Sequence, residues 1–295
     1  MASPTVISPE FLLWSQCLSL WSIAAYGVMA DPLQGETAHF RWTPWMVVLS
    51  ARALLAAGLV YALSPSISLS SWLLLSIAFQ PILRYRLPMR RLAEFESLWT
   101  TAFLVSSLAI IRHFRLPARW VPASLSPAQL AALCILVGTL FLVVRGGTYV
   151  VRGILGKSGT VPSETRLDDI PPRQPISSQL PSPREVSDSP ITIAAPAETA
   201  QTTVDEKEYN RGRLIGNLER IVLTIVVAAG SYAALAFLVA AKGVVRSDEF
   251  DKNKDFAEYF LIGSLASILV ALCAGITLRF ALVRLWPDLL SLQIQ

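Results

Sequence analysis

The sequence predicts an all-α integral membrane protein with about seven transmembrane helices and a disordered linker between the fifth helix and the sixth. Hydrophobic residues make up 53% of the chain and charged residues 16%, whereas a soluble domain carries about 25% charged residues. Long apolar runs account for this composition, and one long polar stretch separates the first five runs from the last two. The lipid bilayer is therefore the first partner that we expect.

Five apolar runs fill residues 1–157, which we predict to form a five-helix transmembrane bundle. A run of about 20 residues, at about 1.5 Å per residue, spans the roughly 30 Å hydrocarbon core of a bilayer. The fifth run begins with Ser126 and Pro127, a pair typical of a helix start. The third run is short and contains Pro81, so a re-entrant third or fourth run, with six spans in all, is the alternative. The runs cover residues 11–30, 45–63, 67–82, 95–111 and 126–144.

Residues 158–210 have a different composition, rich in Pro, Ser, Thr and acidic residues and almost free of aromatic residues. Such a segment cannot bury enough apolar surface to offset the entropy lost on ordering. We therefore predict a disordered, acidic linker. It would keep two membrane modules close to each other without fixing their geometry.

Residues 211–295 contain two further apolar runs, 221–241 and 259–278, which we predict to form a transmembrane helical hairpin. The stretch "GRLIGNLER" before the first run places apolar residues at helical spacing between arginines. This pattern is typical of a short helix that lies on the membrane surface. The hairpin is therefore predicted to begin with a juxtamembrane helix.

The basic residues predict the orientation of the chain. With seven spans, the arginine-rich loop at residues 84–91 shares a side with the flanks of the linker and with the C-terminus. The positive-inside rule then places the N-terminus outside and the linker and C-terminus in the cytoplasm. The three arginines after the fourth run, Arg112, Arg115 and Arg119, oppose this assignment.

Small residues predict how the last two helices pack. They recur every four residues in the seventh run, which places them on one helical face where another backbone can approach closely. The sixth run has a similar stripe. We expect the two stripes to pack against each other, and a contact with another subunit is the alternative. The residues are Gly263, Ser267, Ala271 and Gly275 in the seventh run, and Ala229, Ala233, Ala236 and Ala240 in the sixth.

Charged residues bracket the predicted hairpin at matching depths. Two ion pairs, Glu219 with Arg279 and Lys242 with Glu258, follow from a hairpin of two full spans. The alternative is that each side chain anchors its helix by reaching to the membrane interface.

Three stretches of this region, "GRLIGNLERIVL", "LAFLVAAKGVVR" and "AEYFLIGSLASILVAL", resemble the C-terminal membrane hairpin of a bacterial family called domain of unknown function 3307. The resemblance covers about residues 212–275 and implies a bacterial inner-membrane protein. The family typically carries a His-x3-Asp motif in its first helix. This chain has "YGVMADPLQ", with Gly27 at the histidine position and Asp31 in place. The resemblance therefore implies no His/Asp chemistry here.

Arg52 is the charged residue that lies deepest in an apolar run, about 10 Å from its start at about 1.5 Å per residue. An arginine at the centre of a membrane helix costs about 2.5–3.5 kcal/mol, so it usually faces the bundle interior and has a partner. The candidate partners are Asp31, Glu94 and Glu96. The alternative is a shifted span from which Arg52 reaches the interface.

The sequence contains no hydrolase, phosphate-binding or dinucleotide-binding motif. We predict no cofactor, metal or catalytic site, and no nucleic-acid partner, because aromatic residues are not interleaved with the basic ones. The leading hypothesis is a non-enzymatic scaffold, regulatory or assembly component that binds a membrane protein or a second copy of itself. A transporter or channel for ions or small solutes is the alternative, and a membrane enzyme ranks third.

Overall fold

A computed structural model describes residues 7–27, 42–158, 206–245 and 254–287 of the chain. Of these residues, 88% lie in helices and none lies in a strand. The predicted all-α class is therefore confirmed for the described residues. Apart from residues 206–212, the described residues belong to one compact unit. The predicted linker lies largely outside the described residues.

The described helices, in chain order, are α1 (Pro9–Tyr26), α2 (Trp42–Leu63), α3 (Ile67–Arg86), α4 (Leu92–His113), α5 (Pro127–Phe141), α6 (Gly147–Ser158), α7 (Glu206–Ala229), α8 (Tyr232–Val245) and α9 (Lys254–Leu285). A 3₁₀ turn at Met89–Arg91 precedes α4, and a π-helical segment at Leu142–Gly146 joins α5 to α6. Five described segments are long and apolar enough to cross a membrane: Trp45–Leu63, Ile67–Arg84, Leu92–His113, Pro127–Ser158 and Phe260–Leu285.

Serine caps begin three of the helices. The hydroxyls of Ser8 and Ser66 accept hydrogen bonds from backbone N–H groups in the first turns of α1 and α3. Ser126 forms a capping box with Gln129, and Pro127 opens α5. This confirms the helix start predicted at Ser126 and Pro127. The helix begins there because the cap satisfies N–H groups that a helix end leaves unpaired.

Helix α1 lies at the centre of the bundle and contacts α2, α3, α4 and α5. The indole of Trp21 is fully buried and stacks on Phe103 of α4, with ring centroids 4.2 Å apart. Its Nε1 donates to the hydroxyl of Ser76 in α3 at 2.9 Å. The first apolar run thus packs against other helices, and it is not among the five candidate spans.

We name the two ends of the bundle by helix turns found there. The α1 end is where the first turn of α1 lies, and the α6 end is where the last turn of α6 lies. At the α1 end, the backbone N–H of Ala118 donates to the carbonyl of Pro9, and the backbone N–H of Arg119 donates to the carbonyl of Leu63. At the α6 end, Lys157 of α6 pairs with Glu94 in the first turn of α4. Helices α2, α3, α4 and the continuous α5–α6 segment run between these ends.

The sixth apolar run, predicted as one span, is broken at Gly230. This residue has φ +79°, in the left-handed region that favours glycine. Ser231 N–H donates to Val226 O and Gly230 N–H to Val227 O, which is a Schellman motif that ends α7. The sequence did not reveal the break, because a single glycine also occurs inside continuous membrane helices.

Helix α8 then returns along α7. The Nζ of Lys242 lies 2.5 Å from Glu219 Oε2, and the two residues are almost equally far in sequence from Gly230. Helix α8 has 14 residues, which span about 21 Å, less than the roughly 30 Å core of a bilayer. The segment from residue 213 to 245 is therefore a helical hairpin, which we call the α7–α8 hairpin.

The return of α8 along α7, which we call the fold-back, changes the direction in which α9 runs through the bundle. Near its start, Phe260 lies under the ammonium of Lys242, 5.3 Å from the ring centroid. Near its end, Leu282 and Leu285 share an apolar cluster with Leu12 and Leu130 at the α1 end. The last turn of α9 and the first turn of α1 thus lie at the same end of the bundle, contrary to the expectation from seven spans.

Helix α7 also differs from its prediction at its start. The sequence predicted a short surface helix through "GRLIGNLER" followed by a separate span. Instead one uninterrupted helix covers these residues and the apolar ones up to Ala229.

Candidate functional site

An ion pair lies in the interior of the bundle near the α6 end. Arg84 from the last turn of α3 donates through Nε to Glu96 Oε1 in α4. The side chains of Arg84 and Glu96 are only 4% and 2% exposed. Removing two charges from solvent costs several kcal/mol per ion, so such a pair persists only where other hydrogen bonds complete it.

Tyr26 and Gln80 complete the bonding of the carboxylate. The hydroxyl of Tyr26, at the end of α1, donates to Glu96 Oε2 at 2.8 Å. Gln80 Nε2 donates to the Tyr26 hydroxyl at 2.8 Å and to Glu96 Oε2 at 3.2 Å. The resulting network joins α1, α3 and α4, and we call Tyr26, Gln80, Arg84 and Glu96 the Glu96 cluster.

Tyr149 of α6 fixes the plane of the Arg84 guanidinium. Its ring is buried, and Arg84 Cζ lies 3.7 Å from the ring centroid. The same carbon lies 5.5 Å from the centroid of the Tyr26 ring. A guanidinium held over the face of an aromatic ring is stabilised by the ring quadrupole and keeps its edge free to donate hydrogen bonds.

A small open pocket lies beside the Glu96 cluster, with about 40 Å³ available to the centre of a water-sized molecule. Three arginines line it: Arg52 in α2, Arg84 in α3 and Arg145 in the π-helical segment. Gly27 also lines it, and a Cβ there would lie 2.9 Å from Arg52 Nη1, so the glycine lets this arginine lie over the end of α1. We call this the arginine pocket. Its other lining residues are Ala24, Ala25, Tyr26, Trp45, Leu49, Pro81 and Tyr149.

The structure answers part of the question of which carboxylate is the partner of Arg52. Of its three candidate partners, Glu96 binds Arg84, and Glu94 lies at the surface 2.6 Å from Lys157. Asp31 lies outside the described residues. Arg52 faces a pocket shared with two other arginines, an arrangement that the sequence reading did not anticipate.

A second polar cluster surrounds Arg220 of α7, which is 5% exposed. Its Nε donates to the carbonyl of Val143, and its Nη2 to that of Val144, each at 3.2 Å. Nη2 also donates to Thr148 Oγ1 at 2.7 Å, and Nη1 lies 3.5 Å from Ser267 Oγ in α9. One side chain thus connects the π-helical segment, α6 and α9, and we call this the Arg220 cluster.

The π-helical segment explains why carbonyl groups are available to Arg220. A π turn interrupts the regular i to i−4 hydrogen bonding of the α-helix, so carbonyls there can accept bonds from elsewhere. Space for the arginine comes from Gly147, where a Cβ would lie 3.3 Å from Arg220 Cδ and Nε. The glycines of "RGGT" are the one sequence signal that could have indicated this contact.

The charges of the predicted hairpin pair differently from the expectation. Lys242 pairs with Glu219 instead of Glu258, and Glu258 is exposed. Arg279 Nη1 lies 3.4 Å from the carbonyl of Ala228, in the last turn of α7. A cation at this position is favoured by the negative end of the helix dipole. The difference follows from the fold-back at Gly230, which brings α8 beside Glu219.

The small residues of the seventh run pack within the chain. Cβ atoms built at Gly263 and Gly275 would lie 3.7 Å from Leu155 and 2.6 Å from Val227, and Ala271 is fully buried. Ser267 contacts Arg220. The stripe therefore faces α6 and α7. In the sixth run, Ala229 is half-buried at the end of α7, while Ala233 is exposed on α8, so this stripe does not face the other as predicted.

Comparison of the chain with protein-family models, with curated proteins and with solved structures found no match.

Proposed function

We propose that this chain is a multi-pass protein of the bacterial inner membrane that acts as a non-enzymatic scaffold or assembly component. The observation that carries the proposal is the use of its buried charges as connections between helices. The Glu96 cluster joins α1, α3 and α4 and lies against Tyr149 of α6, and the Arg220 cluster joins the π-helical segment, α6, α7 and α9. Such connections fix relative helix positions.

The membrane location is supported by the outer surface of the bundle. Large apolar side chains are more than half exposed on helices that are long enough to span a bilayer, and a water-soluble surface rarely carries such large apolar patches. Examples are Leu55 on α2 at 65%, Val105 on α4 at 63% and Phe280 on α9 at 66%. The resemblance of residues 212–275 to a bacterial membrane-protein family agrees with this location.

The assembly role is supported by the α7–α8 hairpin. It is held by Lys242 to Glu219 at one end and by the Schellman turn at the other. None of the described residues from Tyr232 to Val244 is buried. Close helix packing in lipid uses small residues, and Ala233, Ala236 and Ala240 lie on the outside of α8. We infer that a transmembrane helix of another membrane protein packs here, since lipid alone does not require a pre-positioned small-residue face.

The test is purification from the native membrane in mild detergent, followed by native mass spectrometry. A second membrane protein should copurify with the unchanged chain and be lost from the variant Ala233→Leu/Ala240→Leu, whose side chains obstruct the outer face of α8. The control Ala51→Leu/Ala62→Leu makes the same change at exposed positions of α2. Equal retention by both variants would contradict the proposal.

A transporter or channel is the second candidate, and the α7–α8 hairpin is the observation that favours it. Helices broken inside the membrane are common where transporters bind their substrates. Against it, the interior at the α1 end is filled by apolar side chains such as Leu12, Ile135 and Leu282. Solute flux into liposomes that requires the protein, without a copurifying partner, would establish this candidate in place of the scaffold.

A further inference from the structure

We propose that residues 112–120, at the end of α4 and in the connection to α5, bind the anionic headgroups of phospholipids. We call these residues the basic loop. It carries three exposed arginines, Arg112, Arg115 and Arg119, and its sequence contains no Asp or Glu. These are the arginines that oppose the orientation predicted from the sequence, and a scaffold built on buried charges does not account for them.

The backbone of the basic loop is held in place by the helices beneath it. The N–H groups of Ala118 and Arg119 donate to carbonyl groups at the start of α1 and the end of α2, across 3.4 and 3.0 Å. The carbonyl of Trp120 accepts from Nε2 of Gln16 in α1 at 3.2 Å. The loop is therefore ordered before it meets a ligand, which lowers the entropy that binding costs.

The basic loop has an apolar inner side and a basic outer side. Leu116 and Ala118 are half-buried and pack against the apolar core that surrounds α1. Arg115, Pro117 and Arg119, which alternate with them, are exposed. The packing of the inner side thus turns the two arginines outward.

Arg115 occupies a backbone position that favours glycine. Its φ is 49°, in the left-handed region. Leu116 N–H donates to Ile111 O at 3.0 Å and Arg115 N–H to Arg112 O at 3.3 Å, which is a Schellman motif that ends α4. Glycine would form this turn without steric cost, so the arginine adds a charge that the turn itself does not require.

The surroundings of these arginines favour a lipid as the ligand. Phe114 and Trp120 flank them and are 54% and 56% exposed. The loop also connects two candidate spans, Leu92–His113 and Pro127–Ser158. Aromatic side chains at the ends of membrane helices lie at the level of the headgroups, and basic residues there attract anionic lipids. A guanidinium binds a phosphate group through paired hydrogen bonds.

This inference rests on the membrane location proposed above and does not depend on the scaffold role. The two can fail separately. A protein that stays in solution without detergent would contradict the membrane location. A protein that requires detergent, but whose basic loop does not respond to anionic lipid, would contradict the present inference alone.

The experiment uses the full-length protein, freed of lipid in detergent and titrated with phosphatidylglycerol or phosphatidylcholine. Pro117→Cys, at an exposed position in a background without the native cysteines, carries an environment-sensitive fluorophore that reports an apparent Kd at the basic loop. The loop variant is Arg112→Gln/Arg119→Gln. The control Arg90→Gln/Arg91→Gln removes the same charge from exposed positions at the α6 end.

We expect phosphatidylglycerol to bind at least about tenfold more weakly at the basic loop of the loop variant, because each basic residue near anionic lipid contributes about fivefold. The control should stay within about twofold, since its substitutions are distant from the fluorophore. Equal responses to the two lipids, or an equal loss in both variants, overturn the proposal. A copurifying acidic protein that is lost from the loop variant, with phosphatidylglycerol binding unchanged, overturns it in favour of a protein ligand.

Arg115→Gly separates lipid binding from the capping of α4, because the negative end of the helix dipole also favours a cation there. Glycine suits the left-handed backbone, so the Tm of this variant should equal or exceed that of the unchanged protein. Phosphatidylglycerol should nevertheless bind about fivefold more weakly. A lower Tm with phosphatidylglycerol binding unchanged would mean that Arg115 serves the cap alone, and would overturn the proposal.

Discussion

The guanidinium of Arg220 donates to the backbone carbonyl of Val143 across 3.2 Å, so a side chain of α7 bonds to the π-helical segment between α5 and α6. This contact links residues that are far apart in sequence, on either side of the predicted linker. It makes the position of α7 depend on the helical form of residues 142–146.

Replacing Arg220 by Leu should destabilise the protein, because it leaves the carbonyl of Val143 buried without this donor, whereas the carbonyl of Val144 still accepts from Thr148 Oγ1. Each buried acceptor that loses its partner costs about 1–3 kcal/mol. The measurement is chemical or thermal unfolding in detergent. Arg90→Leu, at an exposed position, serves as the control and should change the free energy of unfolding by less than about 0.5 kcal/mol. Equal stability of the two variants would contradict the role of Arg220.

Replacing Glu96 by Gln should cost about 3–5 kcal/mol, because it leaves the buried guanidinium of Arg84 without its carboxylate. The double variant Arg84→Met/Glu96→Gln should recover much of this loss, since it removes both charges together. A double-mutant cycle measured by denaturant unfolding checks both values. Additive losses in the cycle would show that the two side chains do not act as a pair.

Replacing Gly230 by Ala should destabilise the α7–α8 hairpin for two reasons. A left-handed backbone costs a residue with a Cβ about 1–2 kcal/mol, and this Cβ would lie 1.9 Å from Arg279 Nη1. The double variant Gly230→Ala/Arg279→Ala relieves the second effect alone. We therefore expect partial recovery of the Tm in the double variant. A Gly230→Ala protein as stable as the unchanged one would mean that residues 221–241 form a continuous helix.

Because of the fold-back, we predict that residues 7 and 287, the first and last described residues, face the same side of the membrane. Single cysteines at Arg115, Trp286 and Pro88, in a background without the native cysteines, can be labelled with a membrane-impermeant maleimide. Arg115 and Trp286 lie at the α1 end, and Pro88 lies at the α6 end. We expect the first two to react from one side of sealed vesicles and the third from the other. Reaction of Trp286→Cys from the same side as Pro88→Cys would disprove the fold-back.

The sequence predicted the helical class and the bounds of several helices, because long apolar runs have few other structures available in lipid. The second run, residues 45–63, has the same bounds as the candidate span Trp45–Leu63 in α2. The start of α5 was also predictable, since Ser126, Pro127 and Gln129 are local signals.

The break in the sixth run was not predictable from local pattern. Gly230 adopts its backbone conformation because α8 returns to Glu219 and Arg279 meets the end of α7, and both contacts are tertiary. The same holds for the count of seven spans, which the structure does not confirm: five described segments meet the length and hydropathy required.

The candidate site was predicted only in part. Arg52 drew attention because a charge inside an apolar run is costly, and it does line the arginine pocket. Arg84 and Arg145 lie at the ends of their apolar runs, where arginines usually mark the interface. Their convergence depends on how α3 and the π-helical segment pack against α1, and no spacing along the chain encodes it.

The π-helical segment also sets the rotational phase of α6. Each residue of an α-helix turns the chain by about 100°, and a π turn inserts a residue with little added rise, so every side chain after it is rotated relative to α5. Because of this phase, the neighbouring residues Thr148 and Tyr149 meet different partners: Thr148 accepts from Arg220, and Tyr149 lies against Arg84. A rotation of α6 that followed the loss of one contact would also turn the Tyr149 ring away from the arginine pocket. The Glu96 cluster and the Arg220 cluster are thus coupled through the rotation of α6 about its own axis, although they share no atom.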